Sequence, residues 1–340
     1  MLKVVTFGEI MLRLAPEGYE RFVQSEKFTA IYGGGEVNVA ISLLEYDIPA
    51  AFVTKLPDNP IGQSAINSLR KFGVDTKHII RGGERIGLYY IEKGMAQRPP
   101  RIVYDRKHSS IAEAEPQEFE WKTIFQEADW FHISGITPAI SANGRTMALE
   151  SMKMAKQMGL TVSFDSNYRS NLWTLAEARE CMCELVKYAD VYIGGPMDAD
   201  KMFDITARSE YIVDGQYTRE SYIDICQQLV GKYGFKSVAM TMRGSISASD
   251  NTWSAMLYTD EQAYFAKEYR MHIVDRVGGG DSFASGLLYG LIKKLGGQQT
   301  IEFATAASCL KHSIEGDVNR VTVAEVQRLM QGDGSGRLDW

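Results

Sequence analysis

The sequence is poor in cysteine, in long apolar runs and in excess basic charge, and each shortage argues against a class of protein. Its four cysteines form no Cys-x-x-Cys pair and no His/Cys cluster at zinc spacing, so we expect reduced, buried thiols rather than a disulfide framework or a zinc site. No stretch approaches 18 uninterrupted apolar residues, and the first ten residues lack the long apolar region and cleavage site of a signal peptide. We therefore expect a cytoplasmic protein with no membrane partner.

Charge and glycine patterns argue against two further classes. Lys and Arg total 37 against 43 for Asp and Glu, and this net charge of −6 is spread without long blocks of one sign. An acidic balance of this kind argues against nucleic acid as a partner. No G-x-G-x-x-G follows the first predicted strand, which argues against a dinucleotide-dependent dehydrogenase. An enzyme that acts on small molecules is the class that remains.

Short β-rich runs alternate with longer helical patterns through most of the 340 residues. This alternation predicts an α/β fold with a doubly wound, mostly parallel sheet flanked by helices. The predicted strands are 4–7, 50–54, 130–133, 160–164, 191–193 and 237–241. The predicted helices are 36–45, 62–72, 143–158, 175–188, 222–233 and 284–295. Ligands of such sheets bind at the carboxyl ends of the strands.

Two segments, about 12–32 and 86–106, carry alternating apolar residues without helical period. They predict antiparallel strands, too few for a separate core, which fold over the carboxyl edge of the sheet as a small β-sheet lid. We expect a single domain over residues 1–330 and a frayed tail over residues 331–340. Because exposed lid strands are often covered by a second copy, we also expect a homodimer through the lid.

The most informative local pattern is the run 275–281, which reads Asp-Arg-Val-Gly-Gly-Gly-Asp and opens a predicted helix. Three glycines at the start of a helix leave backbone N–H groups free at the positive end of the helix dipole, which makes a site for an anion. Asp281 lies in the first turn, where it either caps the helix or deprotonates a hydroxyl that attacks phosphorus. We favour the base, since a cap needs one glycine rather than three.

A second run, 33–40, reads Gly-Gly-Gly-Glu-Val-Asn-Val-Ala and opens another predicted helix. Glycine there lets the backbone approach a ligand closely. The two runs, about 240 residues apart, together resemble the two signature sequences of the ribokinase-type (PfkB) carbohydrate kinases. Within that family, residues 104–106, 165–173, 246–255 and 312–319 look most like those of 2-keto-3-deoxygluconate kinases.

The resemblance implies a ribokinase-like fold, ATP and Mg²⁺ as cofactors, and a set of site residues. Asp281 would be the catalytic base, and the N–H groups of Gly278, Gly279 and Gly280 would hold the transferring phosphoryl group. The implied substrate residues are Gly34, Glu36, Asn38, Tyr89, Tyr104, Arg106 and Arg169. The implied nucleotide residues are Asn167, Thr241, Arg243, Gly244, Ser247, Gly278, Gly280 and Asn319.

The substrate set contains side chains suited to a sugar acid. A phenol such as Tyr89 or Tyr104 both covers and hydrogen-bonds a polyol. Arg106 and Arg169 each offer a planar fork for a carboxylate, although either arginine could equally form an ordinary surface ion pair. Because fructokinases share the segment around Arg169, the choice of a sugar acid depends mainly on Tyr104 and Arg106.

The chain departs from the family at its metal site. Relatives usually carry N-x-x-E after a strand, whereas this sequence has Gly195 where Asn is expected and Asp198 in place of Glu. Asp198 would therefore hold Mg²⁺ weakly, through water. Ser247 also stands where many relatives have glycine. A monovalent cation near Asp275 is a further implication of the resemblance.

These patterns together predict an ATP-dependent sugar-acid kinase that phosphorylates 2-keto-3-deoxygluconate to its 6-phosphate. A fructokinase or another ketose kinase of the same family is the alternative enzyme. A degenerate member that only binds sugar or nucleotide is the non-enzymatic alternative, suggested by Gly195 and Pro196. Retention of Asp281 among three glycines argues against it, because a sensor does not need a base.

Overall fold

The structure is a computed structural model that describes residues 3–332, so residues 333–340 of the predicted frayed tail lie outside the described residues. Sixteen strands lie in this range: β1 (Val4–Phe7), β2 (Met11–Ala15), β3 (Thr29–Gly33), β4 (Ala50–Leu56), β5 (Ile79–Arg81), β6 (Gly87–Glu92), β7 (Arg101–Asp105), β8 (Trp130–Ser134), β9 (Thr161–Asp165), β10 (Val191–Gly194), β11 (Ile212–Val213), β12 (Gln216–Tyr217), β13 (Ser237–Ser245), β14 (Asp250–Thr259), β15 (Gln262–Phe265) and β16 (Tyr269–His272). The same range holds ten α-helices: α1 (Gly35–Glu45), α2 (Pro60–Arg70), α3 (Trp121–Ile124), α4 (Ala142–Gln157), α5 (Leu175–Leu185), α6 (Pro196–Phe203), α7 (Arg219–Tyr233), α8 (Gly279–Ile292), α9 (Gly297–Lys311) and α10 (Val323–Met330).

The main sheet has ten strands in the order β15-β14-β13-β10-β9-β8-β1-β4-β5, with β16 also paired to β14. The pairs from β13 to β5 are all parallel, as predicted. Their sequences are nearly continuous apolar runs, such as the fully buried Val4–Phe7 of β1. Such runs are typical of strands that are covered on both faces.

Helices cover both faces of this sheet. On one face Met147 of α4, Met182 of α5 and Leu229 of α7 are buried in the same core cluster as the strands β8 and β9. On the other face Leu287 of α8 and Phe303 of α9 belong to a second cluster. None of the helices within residues 3–332 combines the length and the apolar character that a membrane span requires.

The edge of the sheet beyond β13 is antiparallel, and the sequence reasoning did not predict its strands. The hairpin of β13 and β14 pairs over nine residues, from Ser237 opposite Thr259 to Ser245 opposite Asn251. Helix α9, which is buried almost throughout from Thr300 to Ser308, also escaped prediction. Its apolar and small residues surround the helix rather than forming one stripe, so the 3.6-residue period is weak.

The predicted lid is present as a separate four-stranded sheet in the order β3-β2-β6-β7. The prediction of antiparallel strands was right for β2 with β3 and for β6 with β7, but wrong for the central pair, because β2 and β6 run parallel. The strand β2 follows β1 and β6 follows β5. Because β1 and β5 belong to the parallel part of the main sheet, their carboxyl ends lie at the same edge of that sheet. The strands β2 and β6 both start from this edge, and they run in the same direction.

Candidate active site

The glycine-rich run forms the start of α8, as predicted. Gly278 is the residue before the helix, with φ of 80°, and a Cβ built on it would lie 1.8 Å from the backbone oxygen of Asp317. Only glycine fits this position. The carbonyl of Gly278 accepts the first helical hydrogen bond, from the N–H of Ser282 (2.8 Å), so the N–H groups before Ser282 have no helical acceptor. Among them, the N–H of Gly279 makes only a long hydrogen bond, of 3.4 Å, to the carbonyl of Arg276. A turn of this kind is suited to bind an anion, and its assignment as the anion site stays a prediction.

Asp281 lies in the first turn of α8, beside this anion site. Its Oδ2 accepts a hydrogen bond of 2.7 Å from Nδ2 of Asn38, which comes from the first turn of α1. Loss of hydration in the half-buried cleft raises the pKa of Asp281 to about 7, although the Asn38 hydrogen bond and the charge of Arg169 oppose the rise. A carboxylate with a pKa near neutral is suited to take and release a proton at physiological pH. The structure thus brings Asp281, Asn38 and the three glycines together.

Two more carboxylates lie in the same region, since Asp165 is close enough to feel the charges of both Asp281 and Asp198. Asp165 ends β9, and burial together with the charges of Asp281 and Asp198 raises its pKa to about 8. Burial also raises the pKa of Asp198, whose Oδ2 accepts from the N–H of Gly195 (3.0 Å) at the start of α6. The exposed Arg169 opposes the rise in pKa of all three carboxyls, and its guanidinium makes no hydrogen bond or ion pair with another described residue. Its fork is therefore open to an anionic ligand.

Oxygen donors of this kind match the preference of Mg²⁺ for carboxylates and water. Within residues 3–332 no group of three or more His, Cys, Asp or Glu side chains is placed to enclose a metal ion. Mg²⁺ keeps several of its waters and also binds substrate phosphates, so two carboxylates at the cleft fit it without a closed cage. Asp198 and Asp165 are the side chains that could hold it.

Glu36 has a different position from the one expected of a substrate residue. Only 1% of it is exposed, and its Oε1 accepts hydrogen bonds from the N–H of Ser134 (3.0 Å), from the Ser134 hydroxyl (2.7 Å) and from Thr137 Oγ1 (2.7 Å). It therefore joins α1 to the end of β8 behind the cleft. Gly34 lies against the backbone of Glu9, since a Cβ there would be 2.1 Å from its carbonyl oxygen.

Three side chains form a row across the inner face of the lid. Arg13 of β2 stands opposite Tyr89 of β6, which stands opposite Tyr104 of β7. Tyr89 is buried and its hydroxyl donates a short hydrogen bond to Asp317. Tyr104 is half-buried, 5.9 Å from Tyr89 between ring centroids, and its hydroxyl has no partner among the described residues. Tyr104 is thus the phenol that is open to a ligand.

Arg106 lies two positions after Tyr104 along the chain, and its guanidinium already has a partner. Its Nε donates to Oε2 of Glu9 (2.8 Å), and its Nη2 makes a short contact with the same oxygen. Ser109 also donates to Glu9 (2.8 Å). Both members of the pair are buried, and the Arg106 guanidinium lies 5.5 Å from the Tyr104 ring centre. The pair holds Arg106 beside Tyr104 in a fixed orientation.

The predicted nucleotide residues fall into two groups. The first group lies along β13 and its hairpin turn and consists of Thr241, Arg243, Gly244 and Ser247. Arg276 of the glycine-rich run contacts this turn, because its Nη2 donates to the carbonyl of Ala248 (3.0 Å). Partial burial and the charge of Arg276 lower the pKa of Arg243, so two arginines approach each other there. An anion between them would relieve their repulsion.

The other predicted nucleotide residues serve the fold through the contacts that they make. Asn167 has φ of 36°, and its N–H binds Asp165 Oδ1 (3.1 Å) within the turn after β9. Asn319 is buried, and its Nδ2 donates to the hydroxyl of Tyr46 (2.6 Å). The structure does not bring the side chain of Asn319 to the cleft. The assignment of both residues to nucleotide binding stays a prediction.

Sequence reasoning gave no role to several residues that shape the site. Arg13 donates to Asp317 Oδ1 (2.5 Å) and to Asp275 Oδ2 (2.6 Å), and all three are buried. Lys311 donates to the backbone carbonyl of Asp275 (3.3 Å), close to where a monovalent cation was predicted. The signal for Arg13 was in the sequence, since it shares one face of β2 with Met11 and Ala15 and so points inward. Nothing in the local pattern marked Lys311 as buried.

Comparisons with known proteins show which proteins this chain is similar to. The family described as pfkB family carbohydrate kinase matches residues 1–321. The chain is 32% identical over 334 residues to 2-dehydro-3-deoxygalactonokinase of Haloferax volcanii, covering 98% of both chains. It is 26% identical over 328 residues to 2-dehydro-3-deoxygluconokinase of Bacillus subtilis, covering 95% of this chain and 94% of the relative.

Solved structures give the same result. The crystal structure of 2-dehydro-3-deoxygluconokinase from Thermotoga maritima matches with a TM-score of 0.94 and 47% identity, over 97% of this chain and 98% of that one. A putative ribokinase II from E. coli in complex with ATP and Mg²⁺ matches with a TM-score of 0.78, over 97% and 99% of the two chains. At 18% identity the second likeness shows the fold alone.

Proposed function

This chain belongs to the pfkB family of carbohydrate kinases, and from that premise we propose that it transfers the γ-phosphoryl group of ATP to a hydroxyl of a sugar acid. The substrate proposed is 2-keto-3-deoxygluconate, and the product is its 6-phosphate. The names of two similar proteins, from Thermotoga maritima and Bacillus subtilis, support this substrate.

The observation that carries the proposal is the arrangement around Asp281. Its carboxylate, with a pKa of about 7, lies beside the glycine-rich turn and is held by Asn38. As the substrate hydroxyl attacks phosphorus, Asp281 accepts its proton, and the N–H groups of the turn stabilise the negative charge that builds on the phosphoryl oxygens. A base next to an anion site is what phosphoryl transfer to an alcohol requires.

Recognition of a sugar acid is proposed from the cationic and phenolic groups at the cleft. Arg169 has an open fork, and Arg106 is fixed beside the open hydroxyl of Tyr104. A guanidinium binds a carboxylate through charge-assisted hydrogen bonds, which a neutral ketose cannot supply. The 2-keto-3-deoxygalactonate epimer is a second candidate, because the relative at 32% identity carries that name.

ATP and Mg²⁺ are the proposed cofactors. Arg243, Arg276 and the N–H groups of residues 278–280 would bind the phosphates of ATP, while Asp198 and Asp165 would hold Mg²⁺ through water. When bound, Mg²⁺ neutralises phosphate charge. Gly195 has φ of −135° and a Cβ there would be 3.6 Å from Asp198 Oδ2, so the glycine leaves the cleft open beside the acid.

Assembly and location are also proposals. Phe28 and Val103 are exposed on the lid (40% and 53%), and β7 is an edge strand, which supports a homodimer formed by the lids. The absence of a membrane-spanning helix in residues 3–332 is compatible with the cytoplasmic location expected from the sequence.

The test of the proposed function is ADP release with a panel of acceptors at saturating ATP and Mg²⁺. The panel contains 2-keto-3-deoxygluconate, its galactonate epimer, gluconate, fructose and ribose. We expect kcat/KM to be highest for one of the two keto-deoxy acids. Higher values for fructose would identify a ketose kinase, and binding of an acid by calorimetry with no ADP release would identify a sensor.

A further inference from the structure

Lys311 is a buried ammonium group directly beneath the glycine-rich turn. It is the last residue of α9 and is 0% exposed. A Cβ built on Gly278 would lie 3.2 Å from its Cε. Its Nζ donates to two backbone carbonyls, those of Asp275 (3.3 Å) and Ile314 (3.1 Å), and lies within 4 Å of no carboxylate oxygen of a described residue.

The charge of Lys311 balances a buried group of ions. The carboxylates of Asp275 and Asp317 share the single guanidinium of Arg13, which leaves one negative charge in excess. Lys311 supplies the missing positive charge, and Asp275 and Asp317 counteract the burial that lowers the pKa of Lys311. Without it, the excess charge would be buried and uncompensated, which is costly.

The two carbonyls belong to the two loops that build the anion site. Asp275 begins the run that leads into Gly278, and its carboxylate also accepts from the N–H groups of Val277 (3.1 Å) and Gly316 (3.1 Å). Ile314 begins the loop that leads to Asp317, whose backbone oxygen lies against Gly278. A single positive charge therefore holds both loops in place by their carbonyl oxygens.

Carbonyl oxygens around one positive charge are also the environment that binds a monovalent alkali ion, where they replace its hydration shell. We propose that the Lys311 ammonium is a built-in monovalent cation, which positions the two loops of the anion site so that phosphoryl transfer needs no bound alkali ion. Lys311 is a positioning residue, since it acts through the loops. The inference rests on the proposed function, because it assigns Lys311 to the phosphoryl-transfer site, and it departs from the expected separate cation near Asp275.

The test compares wild type with Lys311→Met in potassium, ammonium and tetramethylammonium chloride at equal ionic strength. Wild type is expected to have the same kcat in all three salts. Lys311→Met is expected to lose kcat roughly 10- to 100-fold in tetramethylammonium, the range seen when groups that orient an ion site are removed. Potassium or ammonium should restore much of that loss, because either ion can enter the vacated position.

Lys267→Met is the matched control. Lys267 also donates to two carbonyls, those of Leu329 (2.8 Å) and Met330 (2.9 Å), but at the end of α10. Its loss is expected to lower the melting temperature without any dependence of kcat on the kind of cation. A purely structural role for Lys311 would give the same pattern as Lys267, and that result would overturn the proposal.

Two further outcomes are decisive. If kcat of wild type is several-fold higher in potassium than in tetramethylammonium, an alkali ion is needed besides Lys311 and the proposal is wrong. This outcome is measured on wild type alone, so it applies even if Lys311→Met does not fold. If wild type transfers no phosphate, the proposed function fails, and the melting temperature of Lys311→Met then tests Lys311 by itself. A higher melting temperature of Lys311→Met in potassium than in the other salts supports a cation site at the position of Lys311. Equal melting temperatures in all three salts contradict such a site.

Discussion

At the scale of single residues, the acidity of Asp281 is set by its neighbours. Burial raises its pKa to about 7, and the hydrogen bond from Asn38 is the largest opposing influence. Asp165, at about 8, titrates in the same range and is coupled to it by charge. Activity that requires ionised Asp281 is therefore expected to rise with pH through neutrality.

Asn38→Ala tests this link. Loss of a hydrogen bond to a charged acceptor costs about 1.5–3 kcal/mol, which corresponds to about 1–2 pKa units. The acid limb of the kcat/KM profile should move to higher pH by that amount. Ser42→Ala is the control, since the Ser42 hydroxyl donates to the Asn38 carbonyl (2.8 Å) and does not touch Asp281. A limb that stays in place in both variants means that another group titrates.

Arg106→Ala tests the recognition of the substrate carboxylate. Loss of a charge-assisted pair costs about 1.5–3 kcal/mol, so KM for a keto-deoxy acid should rise roughly 10- to 100-fold, and KM for fructose much less. Glu9→Gln is the control, because it keeps the guanidinium and removes only the charge of its partner. Equal losses for acidic and neutral acceptors in Arg106→Ala would show that Arg106 orients the lid rather than binding the acid.

At the scale of elements, the start of α8 is fixed by contacts that differ from one glycine to the next. A Cβ on Gly278 meets the Asp317 backbone at 1.8 Å, whereas a Cβ on Gly280 meets nothing within 4 Å. Gly278 also has positive φ, which costs another residue about 1–2 kcal/mol.

Gly278→Ala is therefore expected to lower the free energy of unfolding by more than about 2 kcal/mol. Gly280→Ala should leave it unchanged or raise it by up to about 1 kcal/mol, because alanine favours the helix. Chemical denaturation of both variants measures the difference. The account of the turn would be contradicted by equal stabilities.

The sequence predicted elements best where one period dominated. Six of the seven parallel strands of the main sheet were predicted from their apolar runs, and α1 and α8 from helical periodicity with glycines at their starts, whereas the three-residue β5 was missed. The parallel pairing of β2 with β6 was missed, because strand direction depends on where each strand leaves the main sheet. The pairing of Arg106 with Glu9 was missed for a similar reason, since residues 97 positions apart carry no local signal of contact.

At the scale of the whole molecule, the lid both covers the cleft and exposes an edge. Its inner face carries Arg13, Tyr89 and Tyr104, while Val103 of β7 faces outward and is 53% exposed. We expect two lids to pack against each other in a homodimer.

Val103→Glu is expected to shift this dimer toward monomer, because a buried charge without a partner opposes association. Val213→Glu is the control, since Val213 is similarly exposed (57%) but lies on the β11–β12 hairpin. Sedimentation velocity over a range of concentrations measures both. A monomeric wild type, or a Val103→Glu dimer as stable as the control, would contradict the proposed interface.

The two glycine-rich runs predicted the centre of the site because each sits at the start of a helix. Asp281 and Asn38, 243 positions apart, come within 2.7 Å because α1 and α8 pack on the same face of the sheet. The buried ions behind the turn could not be predicted in this way. These ions balance one another's charge, and only the folded chain brings them together: they are Arg13, Asp275, Lys311 and Asp317.

Asp281→Asn tests whether this protein is a kinase whose base is Asp281. Asparagine keeps the shape and can still accept the Asn38 hydrogen bond, but it cannot take the hydroxyl proton. Because the pKa of Asp281 is raised to about 7 in the folded state, ionisation of Asp281 lowers the stability of the wild type as pH rises from about 4 to 7. The variant has no such ionisation, so at pH 8 its melting temperature should equal or exceed that of the wild type.

The decisive measurement is phosphoryl transfer by Asp281→Asn to the best acceptor of the panel, with sugar binding measured by calorimetry on the same preparation. We expect kcat to fall by about 10²–10⁴, the usual contribution of a general base, while affinity for the sugar acid is retained. Transfer at close to the wild-type rate would contradict it, and would leave Asp281 as a residue that only begins a helix.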